Sequence, residues 1–118
     1  GETDGRVVGV VAEDLPSLTA ERVSALEEFE LVSLTPAIRA ERGLSSERGA
    51  LIVGVSDAVR QTLGLREGDV IIGINRYAVR SAEEAAELLQ RLQQVQGRVA
   101  VRLLVERSGR EFYAAFSL

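Results

Sequence analysis

The chain has 118 residues, a formal net charge of −4 and 46% hydrophobic residues. That supports one compact domain with a core, but a domain of this size buries only about two-thirds of its unfolded surface. With no His and no Cys, it cannot build a Ser-His-Asp or Cys-His unit, a His-containing zinc site or a thiolate cluster.

Acidic and basic residues are interspersed, with no basic stripe to collect phosphates, which argues against a nucleic-acid partner. No run of about 18 apolar residues and no charged-then-apolar signal segment occurs, so the chain reads as a soluble domain without a membrane span. No cofactor and no metal is implied. The absence of Met leads us to expect a processed product or a piece of a longer protein.

In chain order, Glu2-Thr3-Asp4-Gly5-Arg6 echoes Glu106-Arg107-Ser108-Gly109-Arg110, and an apolar stretch follows each, residues 7–11 and 112–116. We read the first as the last hairpin strand of a preceding domain of the same kind, chance similarity of a short turn being the alternative. Cut from its own sheet, the segment 6–11 is expected to seek a sheet edge. Pro16 and residues 17–21 read as a linker entering a short helix around residues 20–26, so residues 1–26 form an N-terminal strand and linker and residues 27–118 the domain proper. Thr35-Pro36 caps a short helix near 36–42 with Pro at its first position. In residues 63–75, Gly64 and Gly68 bracket a polar turn in which Asp69 can bond backbone amides; a buried strand over 70–74 follows, ended by Asn75-Arg76. Ser81-Ala82-Glu83-Glu84 is a capping box, the Ser81 hydroxyl taking the amide of residue 84 and the Glu84 carboxylate the amide of Ser81. It opens a helix over about 81–95 with apolar residues at three- and four-residue spacing, closed by Gly97. Residues 98–105 alternate as a strand, Ser108-Gly109 turns the chain, and 112–118 return.

This order of turn, strand, long helix and closing hairpin over residues 50–118 resembles the PDZ domains of the HtrA family of envelope serine proteases. The resemblance implies an α+β fold, a PDZ-like half-open β-barrel or sandwich with one long helix (about 81–95) and short helices near 36–42 and 57–63. It implies a non-catalytic module for peptide binding or regulation within an HtrA-like serine endopeptidase of a bacterial envelope or periplasm, with the protease domain outside this chain. With the N-terminal echo, the module would be the second of a tandem pair.

Such domains take a free peptide carboxyl end as an added strand beside the long helix, with backbone amides of a turn holding the carboxylate. The turn runs Gly-apolar-Gly-apolar in the family. Counted back from Leu34-Thr35-Pro36, the matching positions are Glu28, Phe29, Glu30 and Leu31, followed by Val32. Phe29 and Leu31 keep the apolar character and would floor the pocket. Glu28 and Glu30 replace the glycines, with Glu27 beside them, and would repel an incoming carboxylate.

On the helix, the resemblance puts Ala82, Ala86 and Leu89 toward the groove and Ala85, Leu88 and Leu92 toward the core; a wide core stripe is the other reading of the first three. Ala82 has no side-chain donor where hydroxyl-selecting domains use His. The implied partners are therefore peptide or protein C-termini with apolar side chains, together with the protease domain or a neighbouring PDZ of the parent. Two alternatives stay open. One is a structural PDZ module packing on its own protease or a neighbouring protomer without binding peptide, which Glu28 and Glu30 favour. The other is a PDZ domain of another host, such as an intramembrane metalloprotease or a secretion component. Glu27/Glu28 and Glu83/Glu84 are paired carboxylates that would suit acid/base work, but at these spacings they read as solvated faces.

Overall fold

A computed structural model describes residues 16–95 and 97–118. Its elements are α1 (Pro16–Thr19), β1 (Val23–Ala25), β2 (Phe29–Ser33), α2 (Pro36–Arg42), β3 (Ala50–Val55), α3 (Asp57–Leu63), β4 (Val70–Ile74), β5 (Tyr77–Ala78), α4 (Ala82–Gln93), β6 (Ala100–Arg107) and β7 (Arg110–Ser117). The strands all pair antiparallel, in the order β1-β2-β3-β4-β6-β7, with β5 added to β4. The α+β class is the expected one, and the long helix and both short helices fall where the resemblance put them. The expected strand of residues 1–14, and with it the edge pairing of residues 6–11, lies outside the described residues.

Residues 20–26 are not the helix expected of them. Helix α1 ends at Thr19, and residues 23–25 form a strand, so the sheet begins upstream of Glu27. The side chains of Val23 and Ala25 find core contacts in an extended chain and that of Leu26 from the turn that follows, and tertiary pairing overrides a weak helical pattern. At its other end α1 is fastened to α2. The amide and hydroxyl of Ser17 donate to Glu41 at 2.9 and 2.7 Å, and Arg42 Nη2 donates to Ser17 Oγ at 2.9 Å.

Successive residues of a strand face opposite sides, and β2 to β4 are apolar on both. Leu31, Ile52 and Ile71 enter the main core with the buried face of α4, while Val32, Leu51 and Val70 pack with Leu34 and Ile38 under α2. Thr35 caps α2 as expected, accepting from the Ile38 amide at 3.2 Å. The Ser81 hydroxyl accepts from the Glu84 amide at 3.0 Å, but the Glu84 carboxylate reaches the Arg80 amide, at 2.8 Å, rather than that of Ser81. Helix α4 stops at Gln93 with Gln94 as its cap rather than running to Gly97, and Val95 is left 53% exposed.

Two buried carboxylates lock the frame. Asp69 is 1% exposed and accepts from the Arg66 amide at 3.1 Å, as the turn chemistry suggested. It also takes a two-pronged grip from Arg107, Nε at 2.8 Å and Nη2 at 2.6 Å, and Arg107 Nη2 reaches the Gly64 carbonyl at 2.8 Å. The turn after α3 is thereby bolted to β6 by paired charge-assisted bonds. One residue earlier, Glu106 is 2% exposed and accepts from the Ser45 amide at 3.1 Å, the Ser46 amide at 3.0 Å and the Ser46 hydroxyl. Burial alone would raise the Glu106 carboxyl, but the Ser46 hydroxyl and the amides of Ser45, Ser46 and Gly109 hold it below the usual carboxylate range. Glu41 is also lowered, chiefly by the Ser17 hydroxyl.

Removing one partner of a buried charge pair costs about 3–5 kcal/mol. Because Arg107 is 31% exposed and can rehydrate, Asp69→Ala is expected to lose about 2–4 kcal/mol in urea unfolding; a loss under about 1 kcal/mol, the scale of a surface pair, would show that the bolt is not needed. The lowered carboxyls set a pH dependence with a definite sign. A folded-state pKa below the unfolded value adds stability that is complete above about pH 4.3 and is lost as pH falls through the folded value. The urea midpoint is therefore expected to hold from neutral pH to about 5 and drop below about 4, with a shallower drop in Glu106→Gln. An unchanged slope in that variant would remove Glu106 as a cause.

Candidate functional site

Strand β2 has two edges. One pairs with β3, and the other is taken by β1, with Val23 opposite Leu31, Ser24 opposite Glu30 and Ala25 opposite Phe29. Helix α4 packs on β1 and also touches β2, β3 and β4. The slot between the edge of β2 and α4 is thus filled by residues 23–25 of the same chain. Ala25, 1% exposed, joins Phe29, Leu31, Ala82, Ala86 and Leu89 in one apolar cluster, Val23 packs half-buried against it, and Ser24 points to solvent.

A tight turn makes this possible. The Glu28 amide donates to the Ala25 carbonyl at 3.1 Å, and Leu26 and Glu27 both adopt left-handed conformations, φ 54° and 58°. Neither is Gly or Asn, so each costs about 1–2 kcal/mol. Part of that is offset by the packing of Leu26 against the main core; with Phe29, Val59, Leu63 and Phe116 it also lines a small, open hollow of about 190 Å³. The Glu28 amide in this turn is thereby already engaged.

The acidic residues have partners of their own. Glu30 pairs with Arg22 at 2.9 Å, the two side chains 50% and 49% exposed, and Ser56 Oγ donates to Glu28 at 2.8 Å. Two of the three carboxylates expected to repel a ligand therefore brace the turn and the strand that enters it. An exposed pair of this kind contributes only about 0–1 kcal/mol.

The structure brings most of the sequence-derived site residues together. Phe29 and Leu31 on β2 and Ala82, Ala86 and Leu89 on α4 meet across β1, while Glu28 and Glu30 flank it at the surface. Val32 does not join them; its side chain lies on the opposite face in the smaller core under α2. Leu88 and Leu92, expected in the core, are half-buried. They line a cleft of about 580 Å³ on the far side of α4 with Tyr77, Arg80, Arg91 and Val95. Among the described residues no group of acidic side chains is placed to hold a metal ion, and no helix is long and apolar enough to cross a membrane.

One residue of the site escaped the sequence. Ser33, at the end of β2, accepts from the Ala82 amide at 2.8 Å and donates to Glu83 Oε1 at 3.1 Å. It clasps the N-terminus of α4 to the strand and fixes the groove's width there. A lone serine after an apolar strand carries no signal for this, since its partner lies 49 residues away. Ser33→Ala should cost about 1–2 kcal/mol by orphaning a half-buried helix amide, and amide exchange at Ala82 and Glu83 should rise more than elsewhere in α4. Uniform exchange along the helix would refute the clasp.

No family model matches the chain, and no curated protein matches it. Solved structures do. The PDZ domain of HtrA3 bound to a phage-derived ligand, FGRWV, matches at 20% identity and a TM-score of 0.58, over 83% of this chain and 88% of that one. The HtrA-type protease AlgW with a decapeptide matches at 18% identity and a TM-score of 0.61, over 95% of this chain but 33% of its own length. These likenesses show a PDZ fold.

Proposed function

We propose that this chain is a non-catalytic PDZ module of an HtrA-like serine endopeptidase of a bacterial envelope or periplasm, and that its groove takes an extended peptide or protein C-terminus with apolar side chains as an added strand on β2. One observation carries the reading: an extended segment already lies antiparallel on that edge under α4, its alternate side chains, Val23 and Ala25, turned into the apolar cluster. Strand addition draws affinity from backbone pairing and specificity from alternate side chains. This groove has both parts. Ala82 and Ala86 offer apolar contact and no side-chain donor. Both structural relatives above carry a peptide, and the HtrA3 ligand ends in valine. Glu28, Phe29, Glu30, Leu31, Ala82, Ala86 and Leu89 form the proposed site, with Val32 contributing backbone alone.

A second reading has a specific observation in its favour. A groove filled from within the chain also suits a structural module that packs on its own protease or a neighbouring protomer and binds no peptide. Titration with apolar-ended peptides decides between them. Binding tighter than about 1 mM, or about −4 kcal/mol, with amide shifts in β2 and α4 and a loss of at least about tenfold in Ala86→Phe, is the expected result. Absence of any such binder, in the native chain and with β1 displaced, would leave the structural reading standing.

A further inference from the structure

Strand β1 has the geometry of a ligand. It lies on the free edge of β2, runs antiparallel to it, and alternates inward Val23 and Ala25 with outward Ser24. From these features we infer that residues 22–26 are a resident occupant of the peptide groove, and that a peptide reaches β2 only by displacing them. The inference rests on the groove being a peptide site, as proposed above.

The hold on this segment is built to yield. It pairs with β2 over three residues, against eight pairs between β6 and β7. Its one fully buried side chain is the smallest that carries a Cβ, Ala25, and its turn keeps two non-glycine residues left-handed. The ion pair that steadies it, Arg22 with Glu30, is half exposed. Covalent attachment compensates, because a tethered strand competes at an effective concentration on the order of millimolar. A free peptide therefore sees its affinity divided by the fraction of chains whose groove is open. Displacement needs no unfolding of the frame. Upstream, α1 stays fastened to α2 through Ser17, Glu41 and Arg42, so the freed segment is a short loop between two fixed points.

The occupant also describes what it excludes. A competing peptide must place a β-branched and then a small apolar residue at alternate inward positions, the pattern of Val23 and Ala25. The peptide with the sequence of residues 20–25, Ala-Glu-Arg-Val-Ser-Ala, is accordingly the probe to use in trans.

Two variants of the full chain test the idea, read by fluorescence anisotropy of that labelled peptide. Ala25→Asp puts a carboxylate where none can be solvated and expels the strand; it should bind the peptide at least about tenfold more tightly than the native chain. Ser24→Cys with Glu30→Cys places thiols at directly opposite positions, about 4.5–5.5 Å apart between Cα atoms and within disulfide range, in a chain with no cysteine of its own. Oxidised, this variant should lose the peptide by at least about tenfold relative to its reduced form. If Ala25→Asp does not fold, the oxidised and reduced forms still decide. Equal binding by native, opened, reduced and oxidised chains would overturn displacement and leave the peptide reading intact. No binding by any of the non-oxidised forms would overturn both.

Discussion

An unpaired strand edge beside an apolar helix face is the constraint on which this molecule turns. The edge of β2 presents backbone donors and acceptors that must be satisfied, and the alanine- and leucine-lined face of α4 lies next to it. Water can satisfy the first but not the second. An extended segment with small apolar residues at alternate positions satisfies both at once, and the chain supplies one three residues before β2 begins. The left-handed turn at Leu26 and Glu27, the outward Glu30 paired to Arg22, and the engaged Glu28 amide all follow from bending the chain back into that slot.

The rest of the fold holds the slot rigid from behind. Asp69 and Arg107 bolt the turn after α3 to β6, and Glu106 binds the loop after α2 to the neighbouring position on the same strand. The Ile52 amide bonds the Asp69 carbonyl, so β3, which backs β2, is tied into the same frame. Ser33 closes the groove at the helix N-terminus. Stability is unevenly distributed as a result: long, doubly bonded pairings on the β6 and β7 side, and a short strand with a strained turn at the groove. That distribution suits the proposed peptide site, since only weakly held groups can exchange partners.

Much of the frame was legible in the chain. Thr35-Pro36 and Ser81 with Glu84 mark helix starts by local hydrogen bonding, Ser108-Gly109 marks the hairpin turn by its positive φ, and the periodicity of residues 82–92 gives α4 its buried face without reference to any other part of the molecule. The groove's walls, Phe29, Leu31, Ala82, Ala86 and Leu89, came from resemblance to a family and meet in space. The Val32 side chain turns away from them because one residue along a strand is the opposite face of a sheet, and the sheet here is apolar on both. Leu88 and Leu92 pack against the core from its rim and also face a cleft, because helical spacing reports a stripe but not where its rim leaves the core.

Local chemistry, then, determined most of the elements, their caps and turns and the absence of His and Cys chemistry, while the family resemblance supplied the apolar groove with acidic neighbours. Tertiary structure alone decided what fills that groove. Residues 23–25 carry no strand signal of their own, and Glu28 and Glu30 read as repulsive charges until Arg22 and Ser56 are placed beside them. Those pairings join positions that local propensity does not connect. They exist because a buried edge and an apolar face must be covered, and the nearest segment able to cover both belongs to the chain itself.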